Sequence, residues 1–461
     1  MLVQYIAFAV LGLVIIGSFI NFKKMVLIWL PAQMLFNAQV AVKYTSPAMS
    51  LTLAVDLFLL FFYFLKARQR KRNFNKGKFI LTKPMMLILF SYIMSLIFGV
   101  ITTTQGINAI IKYFAANFGV VFLAWKVIDD DKDIKLFVKV SVGVCLMVTI
   151  LALSESILHD NLWLDFIFYN SPQDETTAGR MFYNPNNIEI RYGMVRARSF
   201  FGIHIAFGFA CLMYFWLMQV LYVNKFKYIK TLNALILSFL LAAGVFMANA
   251  KTGYIGLVII LLGLYPIRKM FNLKIIIPLI AVVAVILIYF PEYLNNFISL
   301  FNPAVADEGG GSTVEGRQVQ FAVAMNMFSE NPLFGNGPGA ISVLKNFGNN
   351  SDILGAESSI MQILPERGIL GLISYLYLYV ALFLGFKKYL PIKLLATFLL
   401  AIFVMEFVTG LLDMAIWGTV LVAVKRIYQI RAYKLKHENN NSSLKFEIKA
   451  KQFYAASQRV L

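Results

Sequence analysis

Acidic residues are scarce: 23 Asp and Glu stand against 42 Lys and Arg in a chain of 461, and charged residues of both signs make up only 14% of it. A soluble domain carries about 25% charged residues, so this composition, with 59% hydrophobic residues and 42 Phe, excludes an ordinary soluble protein. Cysteine is nearly absent. Cys145 and Cys211 both lie inside apolar stretches, which excludes a disulfide framework and reads as small helix-packing residues rather than a metal pair. With three histidines in all, His204 stands alone near the start of an apolar run and reads as a packing residue. The amino terminus lacks a basic n-region and a small-residue cleavage site before Lys23, so it reads as a retained first helix.

What the chain has instead is long hydrophobic runs, near residues 2–20, 25–42, 49–65, 84–102, 107–125, 134–158, 199–223, 231–249, 252–267, 275–291, 368–386, 392–412 and 414–424. A spanning helix needs about 20 apolar residues. The expected fold is therefore all-α, a polytopic transmembrane helical protein with about 12–14 helices. The second run, broken by Pro31, and the short last one are its weakest members.

The net charge of +19 does not point to nucleic acid, because the basic residues fall in short runs between apolar segments rather than on one soluble face. They report topology. Residues 66–83 carry eight basic side chains and no acid, which the positive-inside rule assigns to the cytoplasm. Alternation then puts residues 224–230, 268–274, 387–393 and the basic tail 425–461 on the same side. Thirteen spans would leave the amino terminus outside.

This organisation predicts amino-terminal helices over 1–158, a first outer loop over 159–198, helices over 199–291, a large outer loop over 292–367 and final helices over 368–424. Long loops concentrate function. The larger one opens on the flexible "ADEGGGSTVEG", continues as a predicted amphipathic helix "RQVQFAVAMNMFSE" and breaks at "NPLFGNGPG". The Gly-rich 335–339 stretch has no following Lys-Ser/Thr and no preceding strand, so it reads as a turn rather than a phosphate loop.

Arg191, Arg196, Arg198, Lys251 and Arg317 oppose the charge bias that the rest of the chain obeys, because all fall at outer ends or in outer loops. Single outer cations snorkel to lipid phosphates or pair with acids such as Asp174, Glu175 and Glu189. Their repetition favours a shared anionic ligand, since guanidinium forks hold phosphate oxygens in bidentate fashion. Asp56, Glu155 and Glu406, buried among apolar residues by sequence, read as interhelical hydrogen-bonding groups. Glu366 has Arg367 beside it as a local ion partner.

Four stretches in order, "RARSFFGIHIAFGFA", "NAKTGYIGLVIILL", "GRQVQFAVAMNMFSENPLFGNGPG" and "AESSIMQILPERGILGL", resemble the bacterial O-antigen polymerase and O-antigen ligase superfamily. The resemblance covers about residues 195–375 and is most specific from Arg317 to Gly339. It implies a GT-C-type membrane glycosyltransferase acting on undecaprenyl-diphosphate-linked glycans at the outer face of the inner membrane. It also implies membrane lipids and a chain-length regulator protein as partners, with no metal or other cofactor. Arg198 and Arg317 match the family's diphosphate-holding arginines, Lys251 falls where many members have Arg, and Arg191 and Arg196 extend the substrate-binding set. Glu357 and Ser358 stand where the ligases carry His-Asn. That departure favours a polymerase, with Glu357 activating the acceptor. A ligase is the alternative, and a lipid-linked oligosaccharide flippase a second one; a flippase would show broken helices in repeat and charge near the midplane.

Overall fold

The computed structural model describes residues 2–36, 40–43, 49–69, 79–100, 104–171, 190–191, 194–265, 298, 314–341, 358–410 and 413–438. Helix dominates them, as a bilayer requires of a chain that must satisfy its own backbone. In chain order the helices are α1 (Leu2–Ala32), α2 (Leu51–Gln69), α3 (Thr82–Phe98), α4 (Thr104–Lys112), α5 (Val120–Val127), α6 (Asp131–Leu158), α7 (Leu162–Asn170), α8 (His204–Val223), α9 (Thr231–Met247), α10 (Lys251–Leu264), α11 (Val314–Glu330), α12 (Ser359–Phe386), α13 (Ile392–Thr409) and α14 (Met414–Glu438). A π-helical stretch, Tyr113–Gly119, joins α4 to α5. Among the described residues, six helices are long and apolar enough to cross a membrane: Leu2–Leu35, Gly106–Val127, Asp131–Leu158, His204–Val223, Ser359–Phe386 and Ile392–Thr409. Three shorter apolar helices join them. The predicted run at 275–291 lies outside the described residues.

The first two apolar runs form one element broken at Asn21, whose φ of −149° and ψ of 88° are not helical. Its side chain accepts from Lys24 N at 3.0 Å, capping the second leg. The legs fold back sharply: a Cβ at Gly17 would lie 2.8 Å from Met25 Sδ, whereas residues eight apart in a straight helix are separated by about 12 Å. The second run ends earlier than its hydropathy suggests. Pro31 falls in the last helical turn, a 3₁₀ turn follows over Gln33–Leu35, and the chain then pairs as β1 (Ala41–Lys43) with β2 (Met49–Ser50). The last run is longer than its hydropathy suggests, because α14 continues through the basic residues to Glu438.

The bundle has two chemically different ends. At one, Lys23 pairs with Asp133 at 2.6 Å, Lys434 pairs with Asp131, and Arg431 donates to Asn224 O at 3.0 Å. Burial and the hydrogen bond to Asp131 hold the Tyr228 phenol above its ordinary pKa there. Asp130 and Asp133 close a capping box that starts α6. Glu155 lies 24 residues beyond Asp131, the first residue of that helix, about 36 Å at ~1.5 Å per residue, enough to traverse a hydrocarbon core of about 30 Å.

α8 sits at the centre, buried along nearly its whole length and packed against α6, α9, α10 and α14. Small residues set the spacing: Gly244 of α9 lies against Cys211, Gly256 of α10 against Leu212, and Trp216 stacks on Phe398 of α13 at 3.9 Å. Both cysteine thiols are buried and unbonded to each other. Asp56 and Glu406 are bridged between helices as expected, whereas Glu155 accepts from the non-helical Arg198–Ser199 segment. Asp56 of α2 accepts from Trp29 Nε1 of α1 at 2.9 Å, and Glu406 of α13 accepts from Tyr379 of α12 at 2.6 Å and from Tyr375.

Candidate active site

At the end away from Lys23 and Asp133, β3 (Ile190–Arg191) pairs antiparallel with β4 (Met194–Val195), and the chain runs on through Arg196 to Ser199. Glu155, near the end of α6, fixes that segment. One of its carboxylate oxygens accepts the backbone N–H of Arg198 and of Ser199 at 2.8 Å each. Ser199 adopts a left-handed φ of 53°, its hydroxyl donates to Val148 O at 2.6 Å, and its carbonyl accepts from Asn161 Nδ2 at 2.9 Å. On the other flank Ala197 N donates to Met247 O at 3.0 Å. The segment is therefore fastened to α6, α7 and α9, and Arg196 and Arg198 are only 7% and 9% exposed.

The turn from α9 to α10 is tight, with Asn249 left-handed at φ 48° and Tyr254 Oη donating to Asn249 Oδ1 at 3.3 Å. Lys251 is the first residue of α10, and the residue before it, Ala250, supplies no side-chain cap. The helix thus adds the partial positive charge of its amino terminus to the ammonium beside it. Arg191, Arg317 and Arg196 all act electrostatically on Lys251. Cations from β3, the 196–199 segment, α10 and α11 share one region, and an anion among them relieves their mutual repulsion. Arg198 differs, because its charge acts on Glu155.

Arg317 is exposed on α11, the helix expected from "RQVQFAVAMNMFSE", while Gln320, Ala324 and Met327 of that helix are buried and α11 packs on α12. "NPLFGNGPG" forms the turn expected of it. Gly335 and Gly337 have φ of 73° and 118°, a region that costs a residue with a Cβ. The turn is paired backbone to backbone with α12, where Gly368 interrupts the helix at φ 61°. Asn336 N donates to Pro365 O at 2.8 Å, Gly337 N to Glu366 O at 3.2 Å and Ile369 N to Pro332 O at 2.9 Å. A Cβ on Gly335 would collide with the backbone of Glu366 and Arg367, and one on Gly368 with that of Leu333. α3 closes the cluster: Asn331 Nδ2 donates to Phe98 O at 3.0 Å, Phe98 stacks on Phe334 at 4.7 Å, and Ser95 donates to the Glu366 carbonyl.

α12 begins at Ser359, before the apolar run at 368, so the end of the predicted outer loop is helical. Glu357 lies outside the described residues, as do Asp174, Glu175 and Glu189. Arg367, expected only as a partner of Glu366, is 1% exposed and holds its guanidinium 4.4 Å from the centre of the Tyr92 ring, a cation–π contact to α3. His204 is buried in the first turn of α8. Glu155 as the clamp on the Arg198 backbone escaped sequence reasoning, since nothing in the order of residues links positions 43 apart. Its only signal was an acid near the outer end of an apolar run.

These helices define a multi-pass α-helical membrane protein with a focus of positive charge at the end away from its basic loops. Residues 236–376 match the model of the family described as O-antigen ligase; three of the four resembling stretches, with Lys251, Arg317 and the Gly335–Gly339 turn, fall within the match, whereas Arg191, Arg196 and Arg198 precede it. That match supports a glycosyltransferase-like enzyme of O-antigen ligase or polymerase type. No curated protein matches the chain.

Proposed function

We propose that the protein joins undecaprenyl-diphosphate-linked oligosaccharide repeat units into O-antigen or a related surface polysaccharide, at the outer face of a bacterial inner membrane. The observation that carries this reading is the convergence of Arg191, Arg196, Lys251 and Arg317, with the amino terminus of α10, on one region. A polyprenyl diphosphate is an activated donor. The acceptor hydroxyl loses its proton, its oxygen bonds to the anomeric carbon, and the bond from that carbon to the diphosphate breaks. The electron pair leaves on the diphosphate, and cations placed there in advance stabilise it. Glu357, one position before the residue that precedes α12, is the proposed proton acceptor.

Polymerase is preferred to ligase because Glu357 and Ser358 occupy the place of the ligases' His-Asn pair. The outward orientation rests on the basic end, whose Lys and Arg follow the positive-inside rule. Flipping is disfavoured by the position of the charge focus at an end of the bundle rather than its middle. The deciding experiment is the lipid-linked glycan profile of cells lacking the protein. Single repeat units accumulate if it is a polymerase; full-length unattached chains would make it a ligase, and units retained on the cytoplasmic leaflet a flippase.

A further inference from the structure

Next to the segment fastened by Glu155 lies a cavity of about 260 Å³ that the steps above do not use. It opens between the 3₁₀ turn that follows α1, the start of α2, the α4 to π-helix junction, the start of α8 and the start of α14. Two carboxylates line it, Asp56 and Asp413, together with the amide of Gln33, the hydroxyls of Ser50 and Thr52, and the Lys112 ammonium. Lys112 and Asp413 are exposed, whereas Asp56 is buried, and a buried carboxylate is costly in a membrane bundle and a functional-site candidate. The π-helix beginning at Tyr113 is a second such mark, since these wide turns appear frequently at functional sites.

The composition of the wall selects an occupant. Asp56 and Asp413 act electrostatically on each other, and Lys112 acts on Asp413. Asp56 accepts from Trp29 and Asp413 from Ala415 N at 2.9 Å each. A carboxylate offers about four acceptor sites, so both keep capacity for further donors. Gln33 and Lys112 supply donors, and the hydroxyls of Ser50 and Thr52, 3.1 Å apart, supply both kinds. Phe36 and Phe201 add apolar rings. A ring dense in hydroxyl groups, which donate and accept and present C–H faces, meets every part of this wall.

Its place fits the same occupant. Phe201, Gly202 and Ile203 form one side, and they follow directly on the segment fastened by Glu155, with Phe201 N donating to Arg198 O at 2.9 Å. We propose that this cavity is the acceptor subsite: it holds the terminal sugar of the acceptor glycan through Asp56 and Asp413, next to the segment that carries Arg196 and Arg198. The inference rests on the glycosyl-transfer reading and adds a site for the sugar that is not activated.

The test separates the two. The probe is the lipid-free, diphosphate-free oligosaccharide repeat unit released from the host's own surface polysaccharide by mild acid. Its binding to the purified full-length protein is read by saturation-transfer NMR, with affinity for the lipid-linked donor measured separately. Asp413→Asn and Asp56→Asn should weaken oligosaccharide binding about 10- to 100-fold, the worth of a hydrogen bond to a charged group, while donor affinity stays unchanged. Ala116→Leu, which fills the cavity from the π-helix without touching a charge, should abolish oligosaccharide binding in protein that still binds donor and is therefore folded. No oligosaccharide binding to the unmodified protein, or equal binding to Ala116→Leu, overturns the subsite. Binding that behaves as expected in a protein that makes no polymer would retain the sugar site and sink the polymerase reading instead.

Discussion

Removing the Glu155 carboxylate should loosen the arginine segment without touching an arginine. Both hydrogen bonds that Glu155 accepts, from Arg198 N and Ser199 N at 2.8 Å, are buried, and Glu155 itself is 3% exposed. A hydrogen bond to a charged group contributes about 1.5–3 kcal/mol and one between neutral groups about 0.5–1.5 kcal/mol, so Glu155→Gln should cost about 2 kcal/mol over the two bonds. Glu155→Ala leaves two buried N–H donors unsatisfied, at about 1–3 kcal/mol each. The effect should appear twice. Thermal unfolding in detergent should show Glu155→Ala less stable than Glu155→Gln, and both less stable than the unmodified protein. Donor binding should weaken in both even at temperatures where each is folded, because Arg196 and Arg198 lose the support of their backbone. Wild-type stability and donor affinity in Glu155→Ala would refute the claim that this carboxylate places the segment.

Four further outcomes follow from the same structure. Arg317→Ala and Arg196→Ala should each abolish or greatly reduce polymer while leaving the protein inserted, and Arg→Lys should restore only part of it; normal glycan length in both alanine variants would reduce these residues to lipid anchors. Glu357→Gln should lower turnover by about 10²- to 10⁴-fold with donor affinity preserved, the usual contribution of a general base, and near-normal turnover would remove it from that role. Gly335→Ala and Gly368→Ala should destabilise by at least ~1–2 kcal/mol, the cost of a left-handed conformation for a residue with a Cβ, with backbone collision added; unchanged unfolding temperatures would contradict the close pairing of their two segments. Cysteines placed at Ser312 and Lys76 should differ in labelling by an impermeant reagent applied to spheroplasts, and labelling of position 76 alone would invert the orientation.

Helix existence was legible because apolar runs of near-spanning length dominate the chain, and the turn at 335–339 because Gly and Pro announce it. Helix ends were less so. Pro31 and the β1–β2 pairing stop a run that hydropathy alone extends to 42, and the 368 run hides nine earlier helical positions because Pro365, Glu366 and Arg367 look like loop. The outer cations stood out by sign and position. Their grouping was expected from their repetition, but which of them meet was not legible, because the proximity of Arg191, Arg196 and Arg317 to Lys251 is made by tertiary packing of four separate elements. Arg367 does act on its neighbour Glu366 as expected, but its burial over Tyr92 was not legible, because it depends on a helix far earlier in the chain.

The clasp between α3, the 331–337 turn and the interrupted helix α12 also dictates when this end of the bundle can be completed during synthesis. Asn331 reaches Phe98 across 233 positions and Ser95 reaches Glu366 across 271. During synthesis the outer end of α3 emerges early and has no such partners until most of the chain has been made. Contacts that distant form last, since the closing loop must be ordered before they give anything back. A ribosome-bound or truncated chain ending before Gly368 therefore lacks the surface on which the Arg317 helix is seated. The Arg317 helix and the 331–337 turn are thus seated only after α12 has been inserted.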